Sequence, residues 1–232
     1  NTSQLINGFP RVGERSCTIE KLAAVTFILQ CFYTQTTLQT PPQSILNRIM
    51  IKRVCVYCAS SKESDETFLE SAYSLGKFLA KEGMTTVYGC GGTGLMGKLA
   101  DGALDHGGEV LGIIPEFMID REWAHSGVSQ LVKVNTMHER KDQMEKQSDA
   151  FVILPGGCGT FEEAMEIITW KRLELHNKPI CLANLWSFYD PFVQLFENSV
   201  RDRFLRDEHL KLFDVRESIE QVQAWLLDTH SQ

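Results

Sequence analysis

The segment LPGGCGTFEE, residues 154–163, places three glycines and two carboxylates between an apolar run and the beginning of a predicted helix. Glycines at such a junction free the backbone, so that several N–H groups can converge on an anion at the helix N-terminus. Glu163 lies one helical turn further on, where its carboxylate can meet a sugar rather than the phosphate attached to it. The same residues match a capping box, with Thr160 as the N-cap and Glu163 reaching back. From this segment alone, both interpretations stay open: a ligand site with Glu163 at the sugar, and a helix cap formed by Thr160 and Glu163.

A second segment that could do chemistry is MHERKDQM, residues 137–144. It places Arg140 and Lys141 in the first turns of a predicted helix, where positive charge opposes the helix dipole. Such charges indicate either a solvated helix face or an anionic partner. Because a guanidinium forms forked hydrogen bonds, Arg140 is suited to a planar or phosphorylated group.

A third segment, YGCGGTGLMGK at residues 88–98, partly matches two nucleotide-binding patterns. The dinucleotide fingerprint is present, but it follows the second predicted strand, and the acid expected to end the next strand, Glu116, lies beyond Pro115. The Walker A pattern fails at Leu99, where a hydroxyl that binds magnesium is needed. NAD binding and NTPase activity are therefore not expected. The glycines predict only a backbone that can closely approach a phosphate or ribose.

These segments must be positioned by an alternation of strands and helices that begins at Lys52. Strands are predicted at 52–57, 85–88, 109–114, 131–134, 150–154 and 179–183. Helices are predicted from Ser64, the expected N-cap, to Gly83, and at 95–106, 137–148, 160–174, 189–203 and 216–227. Because the strands are apolar throughout, the pattern predicts an α/β fold: a Rossmann-like doubly wound parallel sheet flanked by helices on both faces. The loops at 58–62, 89–97 and 155–163 then share the carboxyl edge of the sheet, where ligands bind in such folds.

The composition limits the kinds of partner. The chain has 232 residues and a net charge of −7, which gives no sign of a nucleic acid or an acidic membrane as partner. Seven scattered cysteines are typical of a reduced, cytoplasmic protein. The single CxxC pattern, Cys55 to Cys58, lies on a predicted strand that directs its two thiols to opposite faces, so a metal or redox role is not expected.

The first 49 residues differ from the rest of the chain. They carry scattered Thr, Gln and Pro, and their longest apolar stretch, 22–29, is too short to span a bilayer. We expect residues 1–49 to be a poorly ordered N-terminal extension, with a targeting segment as the alternative. Residues 50–232 are predicted to form a single Rossmann-like, nucleotide-binding catalytic domain.

Taken together, YGCGGTGLMG, GIIP, MHERK and LPGGCGTFEE occur in the order and spacing of the LOG ("Lonely Guy") family, which the chain resembles over residues 52–203. Members of that family are cytokinin riboside 5′-monophosphate phosphoribohydrolases, often mislabelled as lysine decarboxylases. The resemblance implies hydrolysis of the N-glycosidic bond of an adenosine 5′-monophosphate, with or without an N6 substituent. The products would be the free base and ribose 5-phosphate.

The resemblance also implies roles for individual residues. It assigns catalysis to Arg140 and Glu163. It assigns substrate binding to Glu122, Lys141, Gly157, Cys158, Gly159, Thr160, Phe161, Glu162 and Thr169, with Ser60, Gly92, Gly94 and Met137 as further candidate nucleotide contacts. No cofactor and no metal are expected, and the assembly is expected to be a homodimer or a higher homo-oligomer. A carboxylate such as Glu163 can stabilise the positive charge that builds up on ribose, or activate water.

One position departs from the family pattern, because Cys90 replaces the middle of three consecutive glycines. Its side chain could tighten the site or alter the preference for the base. A different class of function, a non-catalytic protein that binds AMP-like nucleotides, stays as the alternative. A lysine decarboxylase dependent on pyridoxal phosphate is disfavoured, because no lysine lies in a recognisable Schiff-base context. Whether the base is adenine or a prenylated adenine is left open.

Overall fold

The computed structural model describes residues 51–119 and 124–230, except for the side chain of His230. Within these residues the strands are β1 (Arg53–Tyr57), β2 (Thr85–Tyr88), β3 (Val110–Pro115), β4 (Gln130–Val134), β5 (Ala150–Ile153), β6 (Ile180–Ala183) and β7 (Asp214–Arg216). The α-helices are α1 (Glu66–Lys81), α2 (Gly94–Leu104), α3 (Glu116–Ile119), α4 (Met137–Lys146), α5 (Cys158–Arg172), α6 (Asp190–Arg201) and α7 (Ile219–His230). Two 3-10 helices lie at Leu185–Ser187 and Asp207–Lys211.

The strands form one parallel sheet in the order β4-β3-β2-β1-β5-β6-β7. The chain moves outward from β1 to β4 and returns with β5 to the other side of β1, where Val54 aligns with Ala150. The predicted Rossmann-like doubly wound α/β fold is therefore confirmed. The strand order reverses between β1 and β5, and in open sheets of this kind ligands bind at the carboxyl edge near such a reversal.

Both faces of the sheet are buried, which explains the apolar strands. Along β1, Val54 and Val56 contribute to the core beneath α1, α2 and α7, whereas Cys55 and Tyr57 contribute to the core beneath α4, α5 and α6. Successive side chains of a strand point to opposite faces, so a strand covered on both sides must be apolar at every position. Cys58 lies in the first core, so the two thiols of the CxxC pattern do separate as predicted.

Some boundaries differ from prediction. The N-cap of α1 is Asp65, not Ser64, because the Asp65 carboxylate accepts a hydrogen bond from the N–H of Thr67 at 2.9 Å. The sequence does not predict β7, α3 or either 3-10 helix, each of which has five residues or fewer. Such short elements are stabilised by their neighbours and leave little periodic signal.

The proposed extension at residues 1–49 and the candidate contact Glu122 lie outside the described residues. None of the described helices combines the length and the apolar composition that are needed to cross a bilayer.

Candidate active site

Arg140 lies in the first turns of α4, and its side chain is only 4% exposed. Its Nη1 donates to Oε1 of Glu163 at 2.8 Å, and its Nε donates to the carbonyl oxygen of Ile113 in β3 at 3.2 Å. A β-carbon at Gly89 would lie 1.8 Å from Nη2 of Arg140, so only glycine leaves room for the guanidinium. Arg140 is therefore fixed in the interior, and the interpretation as a solvated helix charge is wrong.

The beginning of α4 is stabilised by its own cap. The hydroxyl of Thr136 accepts a hydrogen bond from the N–H of Glu139 at 3.1 Å, and the Glu139 carboxylate accepts one from the N–H of Asn135 at 2.7 Å. The first bond satisfies an amide that the helix leaves without a partner, and the second connects the residue before the N-cap to the first turn. The negative charge of Glu139 offsets the unfavourable placement of Arg140.

Glu163 lies in the second turn of α5, and its side chain is 4% exposed. Burial raises the pKa of the Glu163 carboxyl above its ordinary value, and the Arg140 guanidinium partly counters that rise. The N-cap of α5 is Gly157, with no side-chain cap, so the predicted capping box of Thr160 and Glu163 is wrong. The carboxylate of Glu163 is directed to α4 because the buried guanidinium is the stronger partner.

The beginning of α5 has space for a ligand beside its backbone. A β-carbon at Gly156 would lie 2.1 Å from the Thr160 hydroxyl, so Gly156 allows this side chain to pack against the loop. At Gly157 and Gly159, in contrast, no described atom lies within 4 Å of the position that a β-carbon would take. Since the first N–H groups of a helix lack acceptors within it, and no side chain caps this helix, the open amides can hold an anion.

Lys141 is buried and already engaged. Its Nζ contacts Oε1 of Glu162 and lies 3.1 Å from Oε1 of Glu166. Burial lowers the pKa of Lys141, but the hydrogen bonds and charges of the two carboxylates outweigh burial and raise it. Lys141 therefore ties α4 to α5 next to the Arg140–Glu163 pair.

Hydrogen bonds connect the three loops at the carboxyl edge, which are residues 58–62, 89–97 and 155–163. The N–H of Ala59 donates to the carbonyl of Pro155 at 3.2 Å, and the N–H of Met96 donates to the carbonyl of Ala59 at 3.1 Å. The Thr93 hydroxyl donates to the carbonyl of Ser60 at 2.7 Å. These bonds connect the three loops to one another.

A cavity of about 430 Å³ opens beside these loops. This volume is within the usual range for sites that bind small molecules. It combines two cationic side chains, two hydroxyls and an apolar wall. Its lining residues are Ser60, Lys62, Gly89, Gly91, Thr93, Met96, Ile114, Met118 and Arg140.

Only part of this cavity was predicted from the sequence. Arg140 and Ser60 were expected and do line it. The cation Lys62 and the apolar wall were missed. Lys62 follows β1 in a loop already expected at the ligand-binding edge, and that position was the available signal. The apolar wall, formed by Met96, Ile114 and Met118, leaves no comparable signal, because such side chains are usually part of a core.

Other predicted contacts lie elsewhere in the described chain. Gly94 has a φ of +61°, and a β-carbon there would meet the carbonyl of Ser61 at 2.4 Å, so this glycine serves loop packing. The other predicted contacts that do not line the cavity are Gly92, Met137, Lys141 and residues 157–163. Of these, Lys141 is adjacent in sequence to Arg140, residues 157–162 lie at the beginning of α5, and Glu163 is the partner of Arg140.

Thr169 is separated from the site. It is six residues beyond Glu163 on α5, about 9 Å along the helix and on a different side of it. Its side chain lines a groove between α5 and α6 together with Arg172. Within one chain, the structure therefore does not bring Thr169 to the cavity.

The Cys90 side chain packs against β3 and is not among the residues that line the cavity. Its backbone has a φ of +62°, and its Sγ would lie 2.4 Å from a β-carbon at Gly112 in β3. The thiol is fully buried, and burial raises its pKa. The expectation that Cys90 tightens the site directly is therefore wrong, because the thiol packs on the strand instead of facing a ligand.

Within residues 51–119 and 124–230, no group of three or more His, Cys, Asp or Glu side chains could hold a metal ion.

The fold and the site define a class: a Rossmann-like α/β protein with an open helix N-terminus and a buried arginine–glutamate pair at the carboxyl edge of its sheet. A family model described as "Possible lysine decarboxylase" matches residues 96–226. The chain belongs to this family, the LOG family of phosphoribohydrolases.

Two relatives illustrate the match. Cytokinin riboside 5′-monophosphate phosphoribohydrolase LOG of Oryza sativa subsp. japonica is 41% identical over 161 residues, which are 69% of this chain and 66% of the relative. Cytokinin riboside 5′-monophosphate phosphoribohydrolase LOG2 of Arabidopsis thaliana is 41% identical over 154 residues, which are 66% of this chain and 72% of the relative. The match thus spans about two thirds of the length of these relatives.

Solved structures share the fold at low identity. The molybdenum cofactor carrier protein of Chlamydomonas reinhardtii superposes with a TM-score of 0.61 at 20% identity, over 78% of this chain and 98% of that chain. The molybdenum cofactor binding protein of Rippkaea orientalis gives a TM-score of 0.58 at 19% identity, over 76% of this chain and 95% of that chain. At these identities the likeness supports the fold alone.

Proposed function

We propose that this protein hydrolyses the N-glycosidic bond of an adenosine 5′-monophosphate whose N6 is free or modified, and acts as a homodimer or higher homo-oligomer. The observation that carries the proposal is the buried pair of Arg140 and Glu163 beside a ligand-sized cavity, in a chain 41% identical to named phosphoribohydrolases. A charge pair that is removed from water and placed at a cleft is more typical of a functional site than of a stabilising contact.

In the proposed reaction, the bond between ribose C1′ and the base nitrogen breaks, and its electron pair leaves with the base. Glu163 stabilises the positive charge that develops on the ribose and accepts a proton from the attacking water. The water oxygen bonds to C1′, and the proton that Glu163 has accepted passes on to the departing base, which regenerates the carboxylate. Arg140 stabilises the negative charge on the base or orients the sugar.

The beginning of α5 supplies a place for the 5′-phosphate. The amides of Gly157, Gly159 and Thr160 belong to the first turn, where unpaired N–H groups and the helix dipole favour an anion. Binding energy gained at a distant phosphate can hold the reacting bond in position. A substrate that lacks the phosphate should therefore react much more slowly.

The apolar wall of the cavity suits the base. Met96, Ile114 and Met118 offer flexible and branched apolar surface within a site that is otherwise cationic and hydroxylic. This wall can accept either the face of adenine or an apolar N6 substituent.

The description attached to the family model suggests a different reaction, decarboxylation of lysine. An amine must be neutral to form a Schiff base, yet the two carboxylates beside Lys141 raise its pKa and stabilise its charged form. This lysine is therefore poorly suited to that chemistry.

A substrate panel tests the proposal. Purified full-length protein would be incubated with AMP, isopentenyladenosine monophosphate and both dephosphorylated nucleosides, and free base would be measured by chromatography. We expect base release from at least one monophosphate and little from the nucleosides. Tight binding of the monophosphates without release of base would instead favour a non-catalytic nucleotide-binding protein.

A further inference from the structure

The loop after β1, residues 58–62, contributes alternate residues to two pockets at the carboxyl edge of the sheet. Ser60 and Lys62 line the cavity that contains Arg140. The other pocket has a volume of about 270 Å³ and includes the beginning of α5. From the two segments it is lined by Ala59, Ser61, Pro155, Gly156 and Gly157. In the proposed function Gly157 holds the 5′-phosphate, which places the phosphate in this second pocket and leaves the cavity to the base.

The two pockets differ in charge. Asp65 lines the second pocket, but its carboxylate accepts hydrogen bonds from the N–H and the hydroxyl of Thr67 in its own helix. The charged residues that line the cavity are Lys62 and Arg140, and Arg140 already donates to Glu163. Lys62 is exposed and forms no ion pair with any residue in the described part of the chain. Within that part, the three donors of its ammonium are available to a ligand.

The backbone beside Lys62 is held on both sides. The Ser61 hydroxyl accepts a hydrogen bond from the N–H of Glu63 at 3.2 Å, and the Ser64 hydroxyl donates one to the carbonyl of Ser61 at 3.2 Å. The side chain of Lys62 is a compact charge on a flexible stem. An anchored backbone keeps this charge at the cavity, and the stem lets it follow a group that moves away from the sugar.

We infer that the Lys62 ammonium contacts the departing base and stabilises the negative charge that develops on it, an inference that rests on the proposed function. The electron pair that leaves with the base spreads over its ring nitrogens, so this charge exists only while the N-glycosidic bond breaks. A cation beside these nitrogens therefore attracts the transition state more strongly than the substrate, which raises kcat without lowering KM. Lys62 keeps its own proton in this step, and Arg140 is left to hold Glu163 and the sugar.

Lys62→Met tests this role with two leaving groups. Release of base from the preferred monophosphate would be compared with release of p-nitrophenolate from p-nitrophenyl ribofuranoside 5-phosphate, a leaving group that is stable as an anion without help. We expect kcat for base release to fall about 10²-fold, as for the loss of one donor to a developing negative charge, with KM changed by less than about threefold. Release of p-nitrophenolate should fall by less than about threefold. Lys62→Arg keeps the charge and should stay within about tenfold of the wild-type kcat.

The matched control is Lys81→Met, which removes an exposed lysine from the last turn of α1. Circular dichroism would verify that each variant is folded. An unchanged kcat in Lys62→Met, a rise in KM alone, or equal losses with both leaving groups would overturn the inference, since the second result assigns Lys62 to substrate binding and the third to a general structural role. In each of these cases the wild-type protein still releases base, so the hydrolase proposal stands. Wild-type protein that releases no base from any monophosphate would refute that proposal and this inference together.

Discussion

Arg140 and Glu163, 23 positions apart in the chain, share a 2.8 Å hydrogen bond while each is only 4% exposed. Placing both charges in the interior costs desolvation energy that their attraction offsets only in good geometry. The chain meets that requirement with the carbonyl of Ile113 and with the space left by Gly89. Several positions are required to accommodate this one buried ion pair. The pair is therefore better explained by a catalytic role than by a contribution to the stability of the fold.

Glu163→Gln should abolish turnover and keep binding. The amide preserves the size of the side chain and a partner for Arg140, but it can neither accept a proton nor stabilise positive charge as a carboxylate does. We expect kcat to fall by about 10²–10⁴, with the Kd for the monophosphate changed by less than about threefold. Calorimetry and base release measure these quantities.

The matched control for this variant is Glu70→Gln, which changes an exposed glutamate of α1. A Glu163→Gln protein that folds, binds the ligand and keeps near-normal kcat would show that this carboxylate has no catalytic role. A loss of folding, seen by circular dichroism, would assign it a structural role instead.

Gly89→Ala should displace Arg140. The added methyl group would lie 1.8 Å from Nη2, which is far inside contact distance, so the guanidinium must move away from its hydrogen bonds. Misplacement of a positioning group by about 1 Å can lower a rate about 10²-fold. Base release from a saturating monophosphate would measure the loss.

Gly92→Ala is the comparison for the Gly89 variant. A methyl group there meets the nearest atoms of residues 124–125 at 3.4–3.5 Å, which is ordinary contact. We expect a much smaller effect than at Gly89. Equal losses in both variants would mean that the loop as a whole, and not the clash with Arg140, is responsible.

The activity should depend on pH in a defined direction. Burial raises the pKa of Glu163, so its protonated form persists to higher pH than for an ordinary glutamate. Because the carboxylate is the reactive form in the proposed mechanism, kcat/KM should rise as pH increases through this raised pKa. The acid limb should therefore lie clearly above about 4.3, the ordinary value for glutamate.

The pH profile of kcat/KM for the monophosphate would be measured alongside circular dichroism over the same range, so that unfolding is not mistaken for titration. An acid limb at the ordinary glutamate value would contradict the assignment of Glu163 as the group that must be ionised.

The preference for the base should depend on the apolar wall and not on Cys90. Met118→Ala widens the cavity and removes apolar contact, which is worth about 1–3 kcal/mol for a lost group in a pocket. It should change the ratio of kcat/KM for AMP and isopentenyladenosine monophosphate about tenfold. Cys90→Ala should leave this ratio nearly unchanged, because the thiol packs against Gly112. The reverse result would place Cys90 in contact with the base.

Lys141→Met should lower stability more than it changes substrate affinity. The substitution leaves Glu162 and Glu166 near each other without the ammonium between them. Since Glu162 is about half exposed, solvent screens part of the repulsion, and we expect a loss of about 1–3 kcal/mol in the free energy of unfolding. Urea denaturation measures this loss. A large rise in KM at unchanged stability would show that Lys141 binds substrate directly.

The sequence by itself determined the order of six of the seven strands and six of the seven α-helices in the described residues, and the three loops at the carboxyl edge. Through the family resemblance it also indicated Arg140 and Glu163. These follow from short patterns, because hydrogen-bonding periods and glycine turns are local properties. Only the tertiary structure decided that Glu163 pairs with Arg140 and not with its own helix, and that Thr169 faces a different groove from the cavity. The reason is physical: which side chains meet depends on the order of the strands and the packing of helices around them, and neither is encoded in the spacing of any one segment.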